Sequence, residues 1–170
     1  SFKKVCGQYA AYGIGTIHSN EIAQPEGTRT VKQLLAARQE GILPVRVYVD
    51  YSKGTPNSLG IITGFGDDML KVGSEKFFID GSMNSHTAAL CEPYSCEPKT
   101  TGKLIYEKDE DFMEAVKKSY DYGYTIAAHT IGDYAMDLMI RAIKNCYKPG
   151  DPRRFRIIHA MLLKKEHLDE

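Results

Sequence analysis

No apolar run in this chain approaches the roughly 18 residues that a membrane-spanning helix needs, so none is expected. Net charge is missing as well. Lys and Arg together number 22, as do Asp and Glu, which leaves no general basic field to hold nucleic acid or an anionic membrane. The local cluster of Arg153, Arg154 and Arg156 reads as the solvated entry to a strand. No apolar h-region follows the opening Ser1-Phe-Lys-Lys4, so no secretory signal is read. No Met opens the chain either, and Ser1 reads as an arbitrary boundary. Cysteine is scarce. Cys6, Cys91, Cys96 and Cys146 fit no zinc-ribbon spacing. Cys91 and Cys96 are close enough for a disulfide or a metal pair, but no second pair stands nearby. Free thiols in a reducing cytoplasm are the simpler expectation.

What is present is ordinary for a globular chain. Of 170 residues, 42% are hydrophobic and 26% charged, a balance that sets disorder aside and suits one domain, residues 1–170, with a proper core. A βα rhythm runs through it. Residues 5–12 read as a short helix ended by Gly13, and 14–18 as a buried strand. Thr28 to Thr30 open a helix whose apolar positions are Val31, Leu34 and Leu35; Gly41 closes it. Residues 44–50, rich in β-branched side chains, read as the next strand, and 76–80 as another. A helix over 109–122, a strand over 124–129, a helix over 132–146 and a strand over 155–160 complete the series.

Strand ends then fall at His18, Asp50, Asp80, His129 and His159, which are 32, 30, 49 and 30 residues apart. About thirty residues is one strand and one crossover helix, the βαβ unit. The long interval is explained by residues 83–106, where Pro93, Pro98 and Gly102 interrupt any periodicity. That segment reads as a long loop at the carboxyl end of a strand, where substrate contacts concentrate. The expected fold class is therefore α/β, about five parallel strands with intervening helices, a part of a (β/α)8 barrel.

Three of the strand-like runs carry a Lys or His able to bind a metal. They are residues 75–82 (EKFFIDGS) with Lys76, 126–129 (IAAH) with His129, and 155–159 (FRIIH) with His159. The first run, with TAAL at 87–90 and EPY at 92–94, resembles the fourth-strand motif of amidohydrolase family 3, which includes N-substituted formamide deformylase. HTIGD at 129–133 and RIIHA at 156–160 resemble the fifth and sixth strand motifs. The likeness runs from about Ala11 to the end.

That resemblance implies a centre of one or two divalent ions, usually zinc, in a hydrolase of non-peptide, amide-type carbon–nitrogen bonds. It implies Lys76 as a carbamate bridging the metal, since an ammonium cannot bind a cation while a carbamate offers two anionic oxygens. It implies His129 and His159 as ligands through neutral imidazole nitrogens, and a metal that activates water and polarises the scissile carbonyl. Asp80 is read as a catalytic, site-shaping residue. His86 and Tyr94, in the long loop, are candidate contacts for a small-molecule substrate. The family's first-strand His-x-His pair and eighth-strand Asp have no match. The chain thus reads as an interior fragment, inactive alone, whose open sheet edges favour self-association.

Plainer readings stand beside these. His18 suits a hydrogen-bonded structural histidine, Lys76 could snorkel to the surface at a strand start, and Asp80-Gly81 could be only a turn. Asp133 reads as a helix cap, and His167 as part of a solvated helix face. Lys76 could also serve a Schiff-base lyase or aldolase as the nucleophile. A third possibility is a non-catalytic structural or binding fragment.

Overall fold

The computed structural model describes residues 2–20, 26–52 and 60–169. The chain divides into two compact units, 1–76 and 77–170. The first holds α1 (Phe2–Ala11), β1 (Thr16–Ser19), α2 (Glu26–Gln39), β2 (Arg46–Ser52) and most of β3 (Leu70–Phe78). Its three strands run parallel: Ile17 lies beside Val47, and Val47 beside Leu70. Helix α1 stops at Gly13 and α2 at Gly41, whose φ values of 79° and 67° suit glycine. Cys6, Leu34, Leu43, Val45, Val47, Val49 and Leu70 form the core between these elements.

Strand β3 begins at Leu70, six residues before the start expected from the sequence, so Lys76 sits near its carboxyl end instead of opening it. Gly73 and Ser74 hid this start, because Gly weakens a strand pattern. The physical reason for Gly73 lies on β2. A Cβ there would come within 2.3 Å of the Asp50 carboxylate, which accepts the Ser74 N–H at 2.7 Å. The pairing register between β2 and β3 shifts between Val49 and Tyr51, on either side of Asp50. A buried carboxylate thus takes the place of a side chain on the neighbouring strand.

The second unit holds the end of β3, α3 (Asp109–Tyr122), β4 (Thr125–Thr130), α4 (Asp133–Cys146), β5 (Phe155–His159) and α5 (Lys165–Asp169). Strands β4 and β5 pair in parallel, Ile126 with Phe155 through Thr130 with His159. Ile126, Ala127 and Ala128 are all fully buried in succession. Burial without alternation marks a strand covered on both faces, as parallel strands between helices are. Helix α3 has the expected bounds, and Gly123 caps it with φ 125°, its one N–H shared between the Ser119 and Tyr120 carbonyls. Helix α4 buries Ala135, Leu138, Met139 and Ala142 at helical spacing. Five parallel strands form, as the sequence predicts, with a helix between successive strands except β2 and β3, between which the described residues hold none.

Two local expectations change. The 83–106 segment holds no helix or strand, but it is packed: Ala88 and Ala89 are buried, and Leu90 N–H bonds to the Thr101 carbonyl. Ala88 and Ala89 thus belong to the core, and Tyr106 packs its ring 5.3 Å from that of Phe112. His167 is not solvated. Its side chain is 4% exposed and bonds to Asp137 at 2.7 Å. Burial raises the Asp137 carboxyl, but hydrogen bonds from Lys164, His167 and Cys91 outweigh it and leave the group below its ordinary range.

Gly73→Ala will force a methyl group onto Asp50 and is expected to cost about 1–3 kcal/mol. Urea unfolding measures this, and the same substitution made in Asp50→Ala should cost clearly less. An equal cost in both backgrounds would show that Asp50 is not the obstacle.

Candidate active site

The carboxyl ends of β4 and β5 bring two of the expected residues together. His129 and His159 face one another with ring centroids 4.6 Å apart at 75°. His129 Nε2 lies 2.8 Å from the Gly81 carbonyl oxygen. A carbonyl only accepts, so Nε2 carries a proton, and in the neutral ring the lone pair is on Nδ1. Phe78 lies against the same ring at 5.2 Å. His159 and Ala160 have φ values of 78° and 49°, a region costly to residues with a side chain. Ala160 N–H bonds to the Thr130 carbonyl and Leu162 N–H to that of Ile131, which holds the turn after β5 on the turn after β4.

Asp80 follows β3 and is buried. Its carboxylate accepts three backbone N–H groups: Ala89 at 3.0 Å, Ile131 at 3.1 Å and Gly132 at 2.7 Å. It also lies 3.7 Å from His129 Nε2. With its lone pairs so engaged, Asp80 shapes the surroundings of His129 through the backbone. Asp133 does similar work one turn on, accepting the Cys91 N–H at 2.9 Å. The helix it starts has Gly132 as its cap residue, not Asp133.

The other sequence candidates are placed as follows. Lys76 is 4% exposed, so it does not snorkel to solvent. It lies on β3 beside Ser52 of β2. His86 bonds through Nδ1 to Glu97 at 2.7 Å, and Tyr94 lies against its ring at 4.8 Å. The Tyr94 hydroxyl donates to the Ala88 carbonyl at 3.0 Å, and burial pushes its pKa up. His18 stacks on Tyr48 at 5.0 Å and lies 3.6 Å from the Asp50 carboxylate. Sequence reasoning gave no role to Asp50, Glu75 or Glu97. The first two carried a usable signal, a carboxylate inside an apolar strand run; Glu97 sits in a polar loop and carried none.

Among the described residues, no group of three His, Cys, Asp or Glu side chains forms a ready metal site. The donor chemistry fits a divalent ion in part. Two imidazoles share one end of a parallel sheet, and one has its tautomer set by a carbonyl, as metal-bound histidines do. A closed site needs more donors than two.

Comparison with known proteins gives these likenesses. The amidohydrolase family matches residues 1–170. The chain is 34% identical over 100 residues to "Putative amidohydrolase YtcJ" of Bacillus subtilis, covering 59% of this chain and 18% of that protein. It is 38% identical over 100 residues to "Protein LONG AFTER FAR-RED 3" of Arabidopsis thaliana, covering 56% and 17%. Uncharacterized metal-dependent hydrolases from Pyrococcus horikoshii and Pyrococcus furiosus superpose with TM-scores of 0.81 and 0.80, each at 25% identity over 98% of this chain. The matches cover 33% and 34% of those two chains. The chain thus spans less than a fifth of the curated relatives and about a third of the solved ones.

Asp80→Asn keeps the size of the side chain but turns an amide N–H₂ toward backbone donors. It is expected to lower stability by about 2 kcal/mol or more, since a buried donor left unpaired carries a full desolvation cost. Urea unfolding tests this; a change below about 0.5 kcal/mol would show that the three bonds do not hold the loops.

Proposed function

The chain belongs to the amidohydrolase family, and on that premise we propose that it carries the metal-binding segment of a hydrolase acting on non-peptide, amide-type carbon–nitrogen bonds. The observation that carries the reading is the His129–His159 pair, 4.6 Å apart at the ends of adjacent parallel strands, with backbone strain at His159. Strain of this kind collects at functional sites. The motif likeness extends to the formamide deformylase branch, which favours small amide-type substrates.

His129 and His159 would hold zinc or another divalent ion, one or two in number, with Lys76 as a further ligand in its carbamate form. When bound, the ion supplies a Lewis acid and acidifies water. The chain's own groups supply the rest. The Gly81 carbonyl orients His129, and Asp80 fixes the backbone just after it. His86 and Tyr94 lie in the loop proposed to border the substrate, with Tyr94 setting the position of the His86 ring. The reaction is proposed for the whole hydrolase of which these residues are a part, and the 170-residue chain alone is proposed to be inactive. Free thiols throughout favour a cytoplasmic setting. No helix among the described residues is long and apolar enough to cross a membrane.

The isolated chain is expected to bind zinc weakly, because two histidines and a conditional lysine make an incomplete set. Equilibrium dialysis should show His129→Ala and His159→Ala each weakening binding by about tenfold or more. In the whole hydrolase each variant should remove most activity. Near wild-type zinc affinity and turnover in both variants would refute the assignment.

Self-association is proposed as well. Strand β1 pairs with β2 alone and β5 with β4 alone among the described residues. Each therefore has a side that no further strand covers among the described residues, a place where another chain's strand could add. Light scattering at micromolar concentration should report a dimer or larger species, and a strict monomer would reject this.

A further inference from the structure

The loop after β3 carries a second constellation that metal chemistry does not use. His86 Nδ1 lies 2.7 Å from Glu97 Oε2, and His86 Nε2 lies 3.4 Å from Cys96 Sγ. Thiol, imidazole and carboxylate stand in the order of nucleophile, base and orienting group. A carboxylate that accepts Nδ1–H leaves the Nε2 lone pair for the thiol proton. Tyr94 also packs against the ring, with centroids 4.8 Å apart. His86 itself sits at φ 50°, a conformation held against its intrinsic preference.

Access is provided by the turn. The Glu97 N–H bonds to the Tyr94 carbonyl at 3.1 Å, closing a β-turn with Cys96 near its tip. Cys96 is exposed. Burial pushes Cys6 and Cys146 up, and it does the same to Cys91, where it outweighs the Lys164 hydrogen bond.

We infer that Cys96 is the residue at which this chain is S-thiolated by low-molecular-weight disulfides, with His86 as base and Glu97 orienting it. The Sγ proton passes to His86 Nε2, and the thiolate attacks one sulfur of the disulfide. A Cys96–sulfur bond forms as the original S–S bond breaks, and the departing thiolate takes the proton from His86. One thiol and one disulfide enter; one mixed disulfide and one thiol leave. Acyl transfer would also require donors aimed at a developing oxyanion. Exchange needs only a thiolate, a proton acceptor and an open line of attack. The inference rests on the loop geometry alone and stands independently of the metal site.

Glutathione disulfide is the probe, with the modified cysteine located by peptide mass spectrometry of the folded chain. Cys96 should react at least about tenfold faster than Cys91, the other exposed thiol. His86→Asn removes the base while keeping a residue that tolerates positive φ, and it should abolish that advantage. Glu97→Gln should slow the reaction and move the inflection of its pH–rate profile. Reaction at Cys96 no faster than at Cys91 in the unaltered chain would overturn the inference. So would an unchanged rate and pH profile in His86→Asn.

Discussion

The Asp80 carboxylate is buried at the end of β3, and it is satisfied only if two distant stretches of chain present N–H groups to it. One is Ala89 in the long loop; the other is the turn at Ile131 and Gly132. Ala89 then offers its own carbonyl to Tyr134 and Ala135 at the start of α4. The approach is so close that a Cβ on Gly132 would fall 1.9 Å from that carbonyl oxygen. A buried carboxylate left without these partners would carry a large desolvation cost. The long segment after β3 is therefore packed although it has no regular structure, and β4 is held where His129 follows from it.

The first unit uses a comparable device. Asp50, buried near the end of β2, accepts a backbone N–H from the neighbouring strand and stands 3.6 Å from His18. Asp80 stands 3.7 Å from His129. In each case a carboxylate near the end of one strand fixes backbone by hydrogen bonding and lies against an imidazole. Such a carboxylate can orient a ring without meeting a ligand itself. His129 differs from His18 in having a second imidazole for a neighbour.

The elements were legible where periodicity was strong. Helix α3, with Phe112 and Val116 facing inward, and helix α4, with Leu138, Met139 and Ala142, have bounds within a residue of expectation. Strand β3 was half legible, because Gly73 serves a partner on another strand and no local pattern records that. His129 and His159 were legible as strand-end histidines a βα unit apart, and they do meet. Tyr94 looked like a loop aromatic, and its hydroxyl proves to be bound within the loop. His167 looked solvated because Lys165, Glu166 and Asp169 surround it in sequence. Its true neighbour, Asp137, is thirty residues away on α4.

The positive φ angles at His159 and Ala160 reverse the chain as it leaves β5, and the Thr130 and Ile131 carbonyls secure the reversed segment. The backbones that carry the two imidazoles are consequently stitched to each other on both sides of the rings. Neither can swing far to suit what arrives between them. An ion of the kind proposed would meet two backbones already ordered by folding, so little ordering would remain to be done on binding.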